Sequence, residues 1–358
     1  MKYYVGLIFV VFSLQISAQN IVKMSAVKSN DYGVTYNLPK TSISITANYS
    51  KKTRKAGEFY QYAERYLNVS NPITEDEVIY KLESIDTYTT GIPDKDRSYL
   101  VEFKSGTAGA FVTLTEDGII CAINDEILID KRQPEKPISQ PSAVMPNPKS
   151  FLSEEILRAG SSAKQAELIA KQIYRLRESK TNILTGEAEN MPPDGNAYKL
   201  IMSQIDEQEQ ALTSMFIGSE SMEHGSKSFT IIPDEKNIDK KILFRFSSKL
   251  GIVESNDLSG APVVFSLTNK EPREEAPELT AKEQKALDDK FSKGIIYNIP
   301  AKGNLKIEYN NQTILQKDYD IVQFGTQEII SPKQLEYKKD APIKILFYPD
   351  LGSIRQVQ

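Results

Sequence analysis

Ser162-Ala163-Lys164-Gln165-Ala166-Glu167-Leu168-Ile169-Ala170-Lys171-Gln172-Ile173-Tyr174-Arg175-Leu176 is the stretch on which the fold turns. Ala166, Ile169, Ile173 and Leu176 recur every three or four residues, with Lys164, Lys171, Arg175 and Glu178 on the opposite side. That is the pattern of a helix with a narrow apolar seam. Ser162 and Gln165 have capping-box spacing, so the helix is expected to open there and run to about Lys180. After Gly186 and the turn Met191-Pro192-Pro193-Asp194-Gly195, Asp194 is placed to cap a second helix. Its seam is Ala197, Ile201, Ile205, Leu212 and Met215, and Gly218 closes it. Two helices of similar length joined by a Pro-Gly loop are expected to pair antiparallel.

On both sides of this hairpin the period changes from helical to strand-like. Upstream, 34–38, 41–49, 78–88, 99–104, 111–115 and 118–123 are rich in Ile, Val, Thr and Tyr and are bounded by turn residues. One helix is expected among them, over 58–67, with Phe59, Tyr62, Ala63 and Tyr66 on a face that packs against a sheet. Downstream the strand signal returns at 229–232, 241–246, 262–267, 295–299, 304–309, 320–324 and 343–348. Without alternating helices these runs lack the crossovers of a parallel sheet. The expected class is therefore α+β, two β-rich units of antiparallel sandwich or barrel-like form with an inserted antiparallel helical hairpin. The units are expected at 19–130 and 219–358, the hairpin at 151–218. Pro134, Pro137, Pro141, Pro146 and Pro148 make 131–150 an extended linker or loop. The charged, Pro-bounded segment 271–278 reads as a loop leading into a short helix over 280–291.

One echo links the two ends. Gly33-Val34-Thr35-Tyr36-Asn37-Leu38-Pro39 matches Gly294-Ile295-Ile296-Tyr297-Asn298-Ile299-Pro300, and with one extra residue Ile43-Ser44-Ile45 matches Leu305-Lys306-Ile307. Either both are a strand, proline turn, strand unit used twice, or a generic β motif has recurred by chance. Unrelated backbones at the two places would dispose of the first reading.

Met1-Lys2 followed by an apolar run from Val5 to Leu14 has the form of a secretory signal peptide over 1–18, cleaved after Ala18. The run is well short of the ~20 residues needed to span a bilayer. No cysteine follows it, so no lipid anchor is expected at the cleavage site, and no later stretch is apolar enough to span. The expected location is the periplasm or the cell surface. A net charge of -4 gives no electrostatic footprint for nucleic acid. Cys121 is the sole cysteine, so no internal disulfide can form, and its setting in Gly118-Ile119-Ile120-Cys121-Ala122-Ile123 is that of a buried structural thiol.

The residues that carry chemistry elsewhere are sparse. His224, the one histidine, lies in Met222-Glu223-His224-Gly225 and reads as part of a solvated connection, too isolated for a zinc site or a Ser-His-Asp arrangement. Ser105-Gly106-Thr107-Ala108-Gly109 lacks the Lys-Ser/Thr ending of a phosphate loop and reads as a hairpin turn. Asp94-Lys95-Asp96 lacks the remaining ligands of a calcium loop and reads as a turn between strands. Glu187, Glu189 and Asp194 cluster at the hairpin tip as a wet, charged loop. Ser50-Lys51-Lys52-Thr53-Arg54-Lys55 reads as a basic turn between a strand and the first helix. Arg177 is read as a structural partner for a carboxylate on the hairpin. No catalytic, cofactor-binding or metal-ligating residue is assigned, and no cofactor is expected.

A family resemblance rests on several segments together. Among them are Ile173-Tyr174-Arg175-Leu176-Arg177-Glu178-Ser179, Leu184-Thr185-Gly186-Glu187, Met191-Pro192-Pro193-Asp194-Gly195, Tyr36-Asn37-Leu38-Pro39-Lys40-Thr41 and Gln61-Tyr62-Ala63-Glu64-Arg65-Tyr66-Leu67. In these the chain resembles a family of exported Bacteroidota proteins built on a domain of unknown function. The resemblance spans nearly the whole chain after the leader and implies compartment and length, but transfers no functional residue. The expected function is a non-catalytic binding, structural or assembly protein of the envelope whose partner is an envelope protein or glycan. The alternative is a carboxylate-dependent glycan hydrolase. A docking subunit would show an exposed apolar patch on the hairpin or along an edge strand.

Overall fold

The structure is a computed structural model and describes residues 26–28, 34–101, 111–125, 146–189, 195–272, 280, 282, 294–330 and 343–358. Three antiparallel sheets and a helical layer account for them. The first sheet is the short-stranded one, in the order β1 (Ala26–Lys28), β4 (Phe111–Leu114), β5 (Ile120–Ile123), β12 (Ile345–Tyr348) and β13 (Ser353–Val357). The second runs β11 (Gln312–Ile330), β10 (Ile295–Tyr309), β9 (Ala261–Asn269), β7 (Ile238–Ser247) and β8 (Gly251–Val253). The third is β3 (Glu77–Val101), β2 (Val34–Lys55) and β6 (Ser219–Ile231). Strands from both sides of the hairpin thus share the first and third sheets.

Side-chain alternation explains how the sheets stack. Along β2, Ile43, Ile45 and Ala47 point inward and are fully buried, while Ser44, Thr46 and Asn48 line the other face. The inward set packs on Phe244, Phe246, Val263, Phe265, Leu305 and Ile307 of the second sheet. Phe229 of β6 stacks on Phe244 with ring centroids 4.9 Å apart. A second core joins the first sheet to the beginnings of β2 and β10, with Tyr36, Leu38, Ile120, Ile123, Ile295, Ile296 and Phe347 buried together. The result is α+β, predominantly β, with the helical pair expected from the sequence.

Two predicted breaks are absent. The runs at 34–38 and 41–49 form the single strand β2, and 78–88 joins 99–101 in β3. Pro39 interrupts nothing because it lies opposite Pro93, so two residues without an N–H share one ladder position. The register slips there: Leu38 alone faces the four residues 94–97. Asp94-Lys95-Asp96 is therefore part of a bulge within a strand, not a turn between strands. A slip of the same size, one residue later in the echo, occurs in the second sheet, where Pro300 faces the four residues 322–325.

The echo is structural. Tyr36-Asn37 and Tyr297-Asn298 both stand just ahead of a bulge, Asn37 one residue and Asn298 two residues before the slipped position, and each asparagine anchors a tight hairpin. Asn37 donates its backbone N–H to the Gly118 carbonyl (2.8 Å) and Asn298 to that of Gly352 (2.9 Å). The Nδ2 groups then donate to the preceding carbonyls, Asn37 to Asp117 (3.3 Å) and Asn298 to Leu351 (2.9 Å). Gly118 and Gly352 both have positive φ, which their turns require. Each copy is thus a long bulged strand pair followed by a short hairpin. The expected proline turn is replaced by a bulge, because continuous pairing on either side satisfies the backbone better than a break would.

The helical layer consists of α1 (Ala63–Leu67), α2 (Glu154–Leu157), α3 (Ser162–Thr185) and α4 (Asn196–Ile217). The N-cap of α3 is Ser161, one residue earlier than expected, its Oγ accepting the Lys164 N–H at 3.3 Å. The helix also runs five residues beyond Lys180, to a left-handed Gly186. Gly195 is the N-cap of α4, and Asp194 lies outside the described residues. The face expected on 58–67 is real but shorter: Tyr60–Tyr62 is a 3-10 turn before α1. Phe59, Ala63 and Leu67 pack on α3 and α4 instead of a sheet, in a core with Ile169, Ile173, Leu212 and Phe216. The stretch 131–145, the turn at 105–109 and most of the helix expected over 280–291 lie outside the described residues.

Candidate functional site

The hairpin offers the most distinctive surface. Its inner half is anchored: Ala166, Ile169, Ala170 and Ile173 on α3 and Ala211, Leu212, Met215 and Phe216 on α4 are buried. Phe59 N–H donates to the Met215 carbonyl and Ile73 N–H to that of Ile217, tying the root of α4 to the chain around α1. Tyr174 Oη donates to the Tyr66 carbonyl at 2.9 Å. Beyond Ile173 and before Ala211 no residue of either helix is buried.

Over this outer half the two helices are held by charge. Arg177 Nε donates to Glu209 Oε1 at 2.7 Å, the structural role expected for that arginine, and Lys180 pairs with Asp206. Moving toward the C-terminus on α3 pairs with moving toward the N-terminus on α4, so the helices are antiparallel. The apolar seam nevertheless continues past the core. Leu184 is 61% exposed, Leu200 64% and Ile201 38%. Two helices cover only one side of each other, so a seam that outruns the third element that sealed it becomes surface. Glu187 and Glu189 are exposed beside it.

A second feature is a pocket of about 240 Å³ lined by Thr89, Asp318, Tyr319, Asp320, Tyr348, Asp350 and Leu351. It brings three carboxylates together, but each is engaged. Asp318 accepts from Asn304 Nδ2 (2.6 Å) and Lys270 Nζ (2.8 Å), Asp320 pairs with Lys302 (2.7 Å), and Asp350 accepts from the Gly91 N–H (3.4 Å). The Asn304 and Lys270 contacts hold the Asp318 carboxyl below its usual range. A glycosidic general acid requires the opposite shift. Among the described residues, every carboxyl with a resolved shift (Glu167, Asp257, Glu308 and Asp318) moves down.

The other residues singled out in the sequence are dispersed. Cys121 is buried in β5 and burial pushes its thiol up to about 12. His224 is exposed and sits within β6, not in a connection, with Nδ1 3.2 Å from Glu83 Oε2. Asp94 is nearly buried and meets Lys40 (3.5 Å) and Arg97 (3.6 Å), which occupy it as a cation would. The basic stretch 51–54 is strand: Lys51 pairs with Glu223, Lys52 with Glu220, and Arg54 with Glu77 and Glu220. Its partners come from β3 and, some 170 residues along the chain, from β6, too far apart for sequence spacing to join. Among the described residues no cluster of His, Cys, Asp and Glu is placed to hold a metal ion, and no helix is long and apolar enough to cross a membrane.

Fold and surface together define a β-rich α+β protein with a projecting helical arm. The chain belongs to the family described as a domain of unknown function (DUF4831), whose model matches residues 32–355. No curated protein and no solved structure matches it.

Proposed function

We propose that this is an exported, non-catalytic envelope protein that binds or organises a partner protein through its helical arm. The observation that carries this reading is the exposure of Leu184, Leu200 and Ile201 along a seam that continues from a buried core. An apolar row on a projecting element is characteristic of a docking surface. The leader-like stretch over 1–18 supports export. A photo-crosslinking residue at position 200, introduced into the chain in its native cells, is expected to capture one defined envelope protein. The combined substitution Leu184→Ser and Ile201→Ser is expected to abolish that capture without unfolding the chain. Unchanged capture would overturn the assignment of the arm. Turnover of an envelope glycan or peptide, lost on Asp320→Asn or Asp350→Asn, would establish the hydrolase alternative instead.

A further inference from the structure

β6 is an edge strand. It pairs with β2 along one side over its whole length, Ser219–Ile231, and among the described residues no strand takes the other side. About half of its residues therefore turn N–H and C=O groups toward that open side. Protein edges of this length are usually blunted with charge, and the charges here have a particular order. Gly225 is the middle residue of the strand, Glu223 lies two before it and Lys227 two after. Alternation puts all three on one face, the face from which Phe229 packs into the core. Lys227 Nζ lies 5.6 Å from the Phe229 ring centroid and Glu223 Oε2 3.2 Å from Lys51 Nζ.

We propose that β6 pairs with β6 of a second copy of this chain, antiparallel, about a two-fold axis through Gly225. In that register all thirteen residues overlap. Glu223 of each copy then faces Lys227 of the partner subunit, so the contact occurs twice. On the other face His224 meets Ser226 and Met222 meets Ser228, with no like charges opposed. Moving the axis by one residue sets Glu223 opposite Gly225 or Phe229 and leaves both charges unmatched. The charges thus select one register, and a foreign strand meets them as an obstacle unless it carries the same pair reversed. Gly225, which has no room for a Cβ because the Tyr49 ring occupies it, also puts no side chain on the axis. The three-stranded sheets become one continuous six-stranded sheet, and neither copy retains a free β6 edge.

Sedimentation velocity of the purified chain over a concentration series tests this. The wild type is expected to reach twice the chain mass. Glu223→Lys and Lys227→Glu are each expected to weaken association by about tenfold or more, and the double reversal to restore it to within about threefold. The double reversal still sets a lysine beside Lys51, so rescue reports the contact across the axis and not the one within the chain. A wild type that stays monomeric, a dimer indifferent to both reversals, or a double reversal as weak as the singles would overturn the proposal. If the variants do not fold, hydrogen exchange of the wild type decides: β6 amides must gain protection as concentration rises, and protection independent of concentration refutes the pairing.

Discussion

Replacing Asn298 by alanine is expected to cost far more than the same change at Asn37, although the two residues match in the echo. Asn298 is 1% exposed, and its Nδ2 donates to the carbonyls of Pro39 (3.1 Å) and Leu351 (2.9 Å). Removing it leaves two largely buried carbonyls without this donor, each worth roughly 1–3 kcal/mol, so a loss of about 3 kcal/mol is expected. Asn37 makes its corresponding bond at 3.3 Å near the surface, where water takes over, and a loss of about 1 kcal/mol is expected. The difference of ~2 kcal/mol shifts a urea midpoint by roughly 0.7 M if m is about 3 kcal/mol/M. Asn298→Asp should be worse than Asn298→Ala, since it sets a carboxylate oxygen against two carbonyl oxygens. Urea unfolding followed by tyrosine fluorescence measures all three. Equal shifts for Asn37→Ala and Asn298→Ala, or a larger one at Asn37, would refute the claim that burial separates the two anchors.

The hairpin glycines carry the same asymmetry. Gly118→Ala and Gly352→Ala both incur the ~1 kcal/mol or more of a positive φ, but a Cβ at 352 lies 2.6 Å from Pro39 Cδ, so its thermal midpoint should fall further. Tyr36 Oη donates to the Ile296 carbonyl (2.9 Å) and accepts the Ile296 N–H (2.8 Å), and burial pushes its phenol well above the usual range. A raised acid in the folded state stabilises below the unfolded pKa of about 10 and loses that contribution as pH rises above it. Unfolding free energy should therefore drop above pH 10 in the wild type and drop less in Tyr36→Phe. Cys121, buried with its thiol near 12, should resist a thiol reagent at pH 8 until the chain is unfolded in denaturant.

What could be read in advance depended on how far apart the deciding residues lie. Strand positions and the helical hairpin rest on local periodicity, and Ile43, Ile45 and Ile173 fell where their spacing put them. Strand continuity was hidden because Pro39 reads as a breaker, and only its pairing with Pro93, 54 residues on, removes the penalty. The basic stretch at 51–54 is a paired strand for the same reason: β6 supplies Glu220 and Glu223. On the arm the seam itself was legible, with Ile201 among its residues. Where the core stops covering it was not, since α1, Ile156 and the chain at 151–152 seal only the inner half.

The two strand pairs show why one backbone used twice need not give equivalent copies. In the C-terminal copy the four-residue bulge turns inward. Phe324 enters the core, Gln323 accepts the Thr41 N–H (3.0 Å) and returns Nε2 to the Thr41 carbonyl (2.8 Å), and Val322 N–H donates to Thr41 Oγ1 (2.9 Å). In the N-terminal copy the bulge is Asp94-Lys95-Asp96-Arg97, with Lys95 and Asp96 exposed and Asp94 satisfied by its own Arg97 and by Lys40. A neutral bulge can be sealed against a neighbouring strand because a few hydrogen bonds satisfy it. A charged one must keep contact with water. The C-terminal bulge therefore acts as a clamp on β2, and the C-terminal asparagine anchor, beside that clamp, is the buried one. Burial followed the composition of four residues, while the size of the register slip that exposes or encloses them stayed the same.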